Sequence, residues 1–187
     1  MHGYCSLGTS VDAAWSAVRE AKKVIAQVNP RVPRTLGDSA IHYSNFTAMV
    51  WHEEALPTVD YGSKSSKITD QIGKNVAELI EDGSTLQAGI GAIPDAVLRC
   101  LTNHKNLGVH TEMFSDGVVP LIESGVVNNE YKTVSVGKTV TSFVAGTQKV
   151  YDFVDDNPNV SFKSVSFVND TSIIRQNPKM IAINSAL

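Results

Sequence analysis

A glycine-rich turn is the first stretch of this sequence that could do chemistry. Residues 86–98 read LQAGIGAIPDAVL, in which Gly89 and Gly91 follow a short apolar run and Pro94 opens a helical pattern. Such a strand-to-helix turn can present backbone N–H groups to negative charge. Pro94 stands where a dinucleotide fingerprint needs its third glycine, and the lysine of a phosphate-binding P-loop is absent. The pattern disfavours a nucleotide and leaves two interpretations, a plain turn or a site for an anion or oxyanion.

The second stretch with chemical potential is residues 110–117, HTEMFSDG, in which Glu112 ends an apolar run and a polar turn follows. Ligands of parallel α/β sheets bind outside the carboxyl ends of the strands, and the glycine turn also lies at such an end. A carboxylate beside oriented N–H donors can act as a nucleophile next to an oxyanion hole. The alternative is a surface glutamate in an ordinary loop.

Metal and thiol chemistry have weaker support. His110 precedes Glu112 by two positions, which puts both side chains on one face of a strand, but no third ligand follows at a suitable spacing. Cys5 and Cys100 are the only cysteines, and they show no CxxC spacing. No G-x-S-x-G nucleophile elbow is present. We therefore predict no metal site and no disulfide framework.

Composition points to small-molecule chemistry. The 187 residues are 42% hydrophobic and 19% charged, as in soluble globular domains, and the net charge of −3 gives no basic footprint for nucleic acid. No apolar run approaches the length that spans a bilayer, and the N-terminus has no signal-peptide core. We expect a cytoplasmic protein that binds neither nucleic acid nor membranes.

The elements of the first third are a helix, short strands and a linker. Ser10 is the predicted N-cap of a helix that runs to Ala21, and strands are predicted at residues 24–28 and near Ile41. Residues 59–67 read as a linker. The next helix has an apolar face and is expected to end near Gly83; that face comprises Ile68, Ile72, Val76, Leu79 and Ile80.

Strands and helices alternate in the rest of the chain. The predicted strands are residues 85–91, 107–114, 139–146 and 179–187, and residues 161–168 are also expected to be extended. The predicted helices begin near Pro94 and cover residues 118–126, 148–156 and 170–176. This alternation predicts an α/β fold with a mostly parallel sheet and crossover helices.

The two chemical motifs together resemble the acetyl-CoA hydrolase/transferase family. The resemblance rests on LQAGIGAIPDAVL and LGVHTEMFSDGVVPLIESGVV, and it continues through GTQKVYDFVDDNP, VNDTSIIRQNPKMIAINSAL, GYCSLGTSVDAA and AQVNPRVPRT. It implies the class I CoA-transferase-like (NagB/RpiA/CoA-transferase-like) fold. Because family members are more than twice as long, it also implies parts of two domains, with residues 1–62 ending the first and 63–187 opening the second.

The resemblance also implies a site and its substrates. Glu112 matches the catalytic glutamate of the family, and coenzyme A contacts are implied at Gly89, Ile90, Gly91, Ala92, Ile93 and Leu187. Coenzyme A would enter as a substrate, with no prosthetic group. The partners would be an acyl-CoA and a carboxylic acid, and we expect a homo-oligomer.

The implied reaction transfers CoA between a short-chain or hydroxy-acyl-CoA and a free carboxylate, of the 4-hydroxybutyrate or butyrate/acetate type, through a glutamyl-CoA thioester on Glu112. Two alternatives stay open at this point. One is an acyl-CoA hydrolase on the same scaffold, because exclusion of water separates the two activities and no residue decides it. The other is a non-catalytic fragment that binds CoA.

Overall fold

The computed structural model describes residues 2–62 and 65–185. The first part of the chain contains two pairs of short strands. The bounds are β1 Tyr4–Ser6, α1 Ala14–Glu20, β2 Ile25–Val28, β3 Ala40–His42 and β4 Ala48–Trp51. Strands β1 and β3 pair antiparallel, β2 and β4 pair parallel, and a 3-10 turn lies at Tyr43–Asn45. The predicted strands at 24–28 and Ile41 are confirmed, while β1 and β4 had not been predicted.

The second part alternates strands and helices as the sequence indicates. The bounds are α2 Lys67–Ala77, β5 Thr85–Ala88, α3 Ala92–Cys100, β6 Gly108–Val109, β7 Met113–Phe114, α4 Val119–Glu123, β8 Thr139–Thr141, β9 Phe143–Val144, α5 Gln148–Val154, β10 Val160–Phe162, α6 Val165–Val168, α7 Thr171–Ile174 and β11 Met180–Ile183. The predicted α/β class with mostly parallel strands and crossover helices is confirmed.

The parallel strands form the layer that carries the candidate site. Strand β5 lies between β11 and β6, and β8 pairs with β10. A parallel bridge between His110 and Val140 joins these two groups, so the strand order runs β11, β5, β6, β8, β10. Because all five strands point the same way, their carboxyl ends meet at one edge of the sheet.

The predicted strand 107–114 is broken in the middle. β6 stops at Val109, β7 starts at Met113, and β7 pairs with β9 instead of β8. Glu112 therefore lies in the connection between two short strands and not at the end of a continuous one. The break corrects the sequence interpretation, and it turns the backbone carbonyl of Glu112 toward the end of β8.

The N-cap predicted for the first helix is wrong. Ser10 forms an antiparallel bridge with Phe143, and α1 begins at Ala14. Asp12 accepts from the N–H groups of Ala13 and Ala14 instead, at 2.5 and 3.3 Å. The pairing of Ser10 with a distant strand overrides its local capping tendency.

Helix α2 is shorter than predicted and shows a different buried face. It ends at Ala77, well before Gly83, and Ile68 and Leu79 are 74% and 76% exposed. The contact with α3 runs through small residues, since a Cβ atom on Gly73 would lie 2.7 Å from the backbone of Ala96. The position of α3, and of the turn that precedes it, is therefore set by close packing of α2 against α3 and not by a wide apolar face on α2.

Residues 161–168 are only partly extended. Val160–Phe162 form β10, but Val165–Val168 form α6. The alternation of polar and apolar side chains in residues 161–168 is compatible with a strand. The chain must, however, cross over from β10 to reach the parallel strand β11, and α6 lies in that crossover. This helix reverses the chain over the sheet, and the reversal brings residues near 169 to the Glu112 segment.

The hydrophobic core lies between the sheet and its helices, and the first part of the chain contributes to it. Val11 is fully buried in the same cluster as Phe114 and Phe162. Strands β2 and β4 instead expose apolar side chains, among them Ile25 and Trp51. The predicted domain boundary between residues 62 and 63 stays a prediction, as does a homo-oligomer. Within residues 2–62 and 65–185, no helix combines the length and apolarity needed to cross a membrane.

Candidate functional site

The glycine turn connects the carboxyl end of β5 to the first turn of α3. Gly91 is the N-cap of α3 and has φ 115° and ψ −178°, a conformation that is essentially restricted to glycine. Pro94 lies in the first turn of the helix, as predicted. The first N–H groups of a helix have no acceptor inside it, so Ala92 and Ile93 offer donors at the mouth of the turn.

Gly89 has a structural role in this turn. Its N–H donates to the carbonyl of Ile183 at 2.8 Å, so that group extends the pairing of β5 with β11 and is not a donor for an oxyanion. A Cβ atom on Gly89 would lie 2.8 Å from Oδ1 of Asn184. Asn184 in turn donates to Oε1 of Gln87 at 2.9 Å. The close approach of the Asn184 side chain explains the glycine.

Glu112 is held firmly by its backbone. Its carbonyl oxygen accepts from the N–H groups of Ser142 and Phe143 at 2.9 and 3.0 Å and from Oγ1 of Thr141 at 3.0 Å. The side chain is half-buried. Three donors at the end of β8 therefore fix the position from which the carboxylate extends.

Thr111 links Glu112 to the glycine turn. This fully buried residue precedes Glu112, and its hydroxyl accepts from the N–H of Ala88 at 3.1 Å and lies 2.9 Å from the carbonyl of Ala88. Ala88 is the last residue of β5, immediately before Gly89. The structure thus places the predicted carboxylate and the predicted loop just beyond the ends of two adjacent strands, β6 and β5, with a direct hydrogen-bonded link between them.

Asn169 is a site residue that sequence reasoning missed. Its Nδ2 donates to Oε2 of Glu112 at 2.8 Å. It lies at the joint of α6 and α7, where Asp170 caps α7 by accepting from the N–H groups of Ser172 and Ile173. Prediction of residues 161–168 as extended hid this contact, because only the α6 turn brings Asn169 back to the sheet.

Two further carboxylates lie next to the site. Asp116 accepts from the N–H and the hydroxyl of Thr147, at 2.8 and 2.5 Å, which joins the turn after β7 to the start of α5. Asp95, on the first turn of α3, is 5% exposed. Its burial and the nearby charge of Asp116 raise the pKa of the Asp95 carboxyl, although the Arg99 guanidinium opposes the shift.

His110 is fully buried, and its contacts are those of a structural residue instead of a metal ligand. Its Nε2 lies 2.9 Å from the carbonyl oxygen of Val168. Burial lowers the pKa of the ring, so the imidazole is neutral at pH 7. Among the residues that the structure describes, no group of three or more His, Cys, Asp or Glu side chains is placed to hold a metal ion.

The predicted coenzyme A contacts fall into two sets. Gly89 to Ile93 form one half-buried turn that follows the end of β5. Leu187 lies outside the described residues, so its predicted role stays a prediction. Catalysis by Glu112 and CoA binding by the turn are likewise predictions at this stage.

Comparison with known protein families identifies the class of this protein. Residues 1–61 match the acetyl-CoA hydrolase/transferase N-terminal domain, and residues 146–187 match the acetyl-CoA hydrolase/transferase C-terminal domain. The two matches together cover more than half of the chain. The chain therefore belongs to the acetyl-CoA hydrolase/transferase family, which confirms the resemblance seen in its motifs.

Individual relatives are similar along the whole chain. A succinyl-CoA:acetate/propanoyl-CoA:succinate CoA transferase of Fasciola hepatica is 54% identical over 100% of this chain and 39% of its own length. A 4-hydroxybutyrate coenzyme A transferase of Clostridium kluyveri is 51% identical over 100% of this chain and 43% of its own length. The chain therefore spans well under half the length of the curated relatives it matches.

A solved structure shows the same fold. The 4-hydroxybutyrate CoA-transferase of Porphyromonas gingivalis superposes with a TM-score of 0.95 at 44% sequence identity, over 100% of this chain and 47% of the other. The predicted CoA-transferase-like fold is confirmed by this match.

Proposed function

We propose that this chain carries the nucleophile of a CoA-transferase, which moves CoA between a short-chain or hydroxy-acyl-CoA and a free carboxylate. The observation that carries the proposal is the Glu112 carboxylate, which accepts a hydrogen bond from Asn169 at 2.8 Å and lies in the connection after β6, the strand that pairs with β5 ahead of the Gly89–Ile93 turn. The curated relatives named above, which bear CoA-transferase names, support the same reaction class. The activity belongs to the whole protein, of which this chain would supply the nucleophile and one wall of the site.

The proposed chemistry has two exchanges. The Glu112 carboxylate attacks the thioester carbonyl of the acyl-CoA; the C–S bond breaks, leaving an acyl-glutamyl anhydride and the CoA thiolate. The thiolate then attacks the glutamyl carbonyl of the anhydride, which releases the free acid and forms a glutamyl-CoA thioester. A second carboxylate takes CoA by the reverse steps. A carboxylate nucleophile is required because the acyl intermediate must itself exchange with carboxylates.

The N-terminus of α3 is suited to stabilise the charge that develops in these steps. Each attack forms a tetrahedral oxyanion, which backbone N–H donors stabilise when they are already oriented. Because Gly89 donates to Ile183, we assign this role to the N–H groups at Ala92 and Ile93. Coenzyme A enters as a substrate, and no step in this scheme uses a prosthetic group.

Trapping the thioester tests the proposal. The full-length protein is incubated with butyryl-CoA or acetyl-CoA, treated with borohydride, and digested for mass spectrometry of the peptide that contains Glu112. We expect a borohydride-reduced glutamyl side chain at Glu112 only after acyl-CoA treatment. Glu112→Ala should abolish both the trapped product and transfer.

A matched control separates the nucleophile from carboxylates in general. Glu123 is an exposed glutamate that pairs with Lys149 at 3.6 Å, and Glu123→Ala should transfer CoA at the wild-type rate. Transfer that survives Glu112→Ala would refute the proposal. Product analysis distinguishes the hydrolase alternative, because release of free CoA without an acceptor acid would identify a hydrolase.

A further inference from the structure

His110 is a buried group that the proposed chemistry does not use. It directly follows β6 and lies two residues before Glu112. Its backbone N–H donates to the carbonyl of Leu86 at 3.0 Å, and its side chain is 1% exposed. Packing alone does not explain an imidazole in this position, because an aliphatic side chain would fill the space without burying a polar atom. The reason for the imidazole is found on the helix that covers it.

The His110 ring donates to the end of α6. Val168 is the last residue of α6, and the last carbonyls of a helix have no N–H partner within it. Val168 is 1% exposed, and its oxygen lies 2.9 Å from Nε2 of His110. A carbonyl oxygen can only accept, so Nε2 carries the proton and Nδ1 is the unprotonated nitrogen.

The same joint carries the partner of the nucleophile. Asn169 follows Val168 directly and donates to Oε2 of Glu112 at 2.8 Å. Two side chains of the connection between β6 and β7 thus contact two consecutive residues of the α6–α7 joint. His110 contacts the backbone of Val168, and Glu112 contacts the side chain of Asn169.

We propose that His110 is a positioning residue, which anchors the α6–α7 joint through the Val168 carbonyl and thereby sets the Asn169 amide that orients the Glu112 carboxylate. The proposal rests on the proposed role of Glu112 as nucleophile. Attack on a thioester needs the carboxylate in one orientation, and a misplacement of about 1 Å costs on the order of a hundredfold in rate.

The surroundings of His110 keep it neutral and in one tautomer. The Phe167 ring packs near it, with centroids 6.2 Å apart, and Nδ1 is buried without a hydrogen-bond partner in the described residues. Burial lowers the pKa of the ring, the hydrogen bond with Val168 opposes this shift, and the charge of Lys132 adds a smaller lowering. The neutral ring has one N–H, and within residues 2–62 and 65–185 the acceptor placed for it is the Val168 carbonyl.

Three variants of the full-length protein test the proposal. His110→Gln keeps a donor, because the glutamine amide nitrogen reaches the position of Nε2. His110→Asn loses it, because the shorter amide stops near the position of Nδ1. His104 provides the matched control, since its Nε2 makes the same contact with the carbonyl of Ile80 at 2.9 Å, and this residue precedes β6 at the opposite edge of the sheet.

We expect His110→Asn to form the Glu112 thioester about tenfold or more slowly, with the KM for acyl-CoA within twofold of wild type. His110→Gln should stay within about threefold of wild type, and His104→Asn should lower the melting temperature without slowing the reaction. If His110→Asn does not fold, His110→Leu, which adds no buried polar group, replaces it.

Two kinetic outcomes would overturn the proposal: a folded His110→Asn with the wild-type rate, or an equal loss of rate in His104→Asn. Crystal structures give a readout that does not depend on activity, because the distance from Asn169 Nδ2 to Glu112 Oε2 should exceed 3.5 Å in His110→Asn alone. A wild-type protein that forms no thioester would refute the proposed function, while an unchanged distance in the variant would refute the positioning role.

Discussion

Substitution of Gly91 by alanine gives the sharpest test of the glycine turn. Gly91 has φ 115° and ψ −178°, and the nearest described atom to an added Cβ is Oγ of Ser185 at 4.0 Å. The new methyl group would therefore meet no clash, and the whole cost would come from a backbone conformation that alanine avoids. That cost is roughly 1–3 kcal/mol.

The expected magnitude follows from the size of the chain. For a protein of 150–250 residues, each kcal/mol changes the melting temperature by about 2–4 °C, so Gly91→Ala should lower it by roughly 2–12 °C. Relaxation of the strain would rotate the N–H groups of Ala92 and Ile93, two of the predicted CoA contacts, and loss of about 1 kcal/mol per hydrogen bond would weaken CoA binding by about fivefold or more. Thermal unfolding and titration calorimetry with CoA measure the two effects.

Gly125→Ala is the matched control for this substitution. Gly125 also has a positive φ, 78°, and no described atom lies within 4 Å of an added Cβ. It follows α4, away from the turn, so its substitution should cost about 1–2 kcal/mol and leave CoA affinity unchanged. A Gly91→Ala protein with the wild-type melting temperature and wild-type CoA affinity would refute the argument that the turn needs this conformation.

Three further predictions concern polar groups in and around the site. Asn169→Ala should slow formation of the Glu112 thioester by about tenfold in single-turnover assays while it leaves the melting temperature within a few degrees of wild type, because the lost bond is charge-assisted but partly exposed. Burial lowers the pKa of Lys132 to about 7, so between about pH 7 and pH 10 the unfolded chain holds a proton that the folded protein has lost. Over this range the free energy of unfolding of wild type, minus that of Lys132→Met, should rise by about 1.4 kcal/mol per pH unit. Urea titrations measure this difference, and a value that does not change with pH would contradict the burial of Lys132. Burial raises the pKa of Asp95, so just above pH 3.8 the folded protein still holds a proton that the unfolded chain has released. Wild type should therefore lose stability relative to Asp95→Asn as the pH rises above 3.8. Equal pH profiles of the two unfolding free energies would argue against an unfavourable buried charge.

Local patterns in the sequence predicted the elements on which the site is built. The alternation of short apolar runs and helical stretches gave the parallel sheet, since burial on both faces and the need for crossovers leave few other arrangements. The glycine turn and Glu112 were identified because strand ends and glycines are local signals. The local signals did not predict two details of the site. The N–H of Gly89 donates to Ile183 of the neighbouring strand, and Glu112 lies in a break between two strands.

The sequence by itself determined which residues could react, and the tertiary structure decided which residues hold them. Asn169 lies 57 positions from Glu112, and Val168 lies 58 positions from His110. Neither contact has a signal in local periodicity, because it depends on a crossover helix that folds back over the sheet. Hydrogen bonds of this kind require β6, β8 and α6 to be packed together, and no pattern of neighbouring residues specifies that packing.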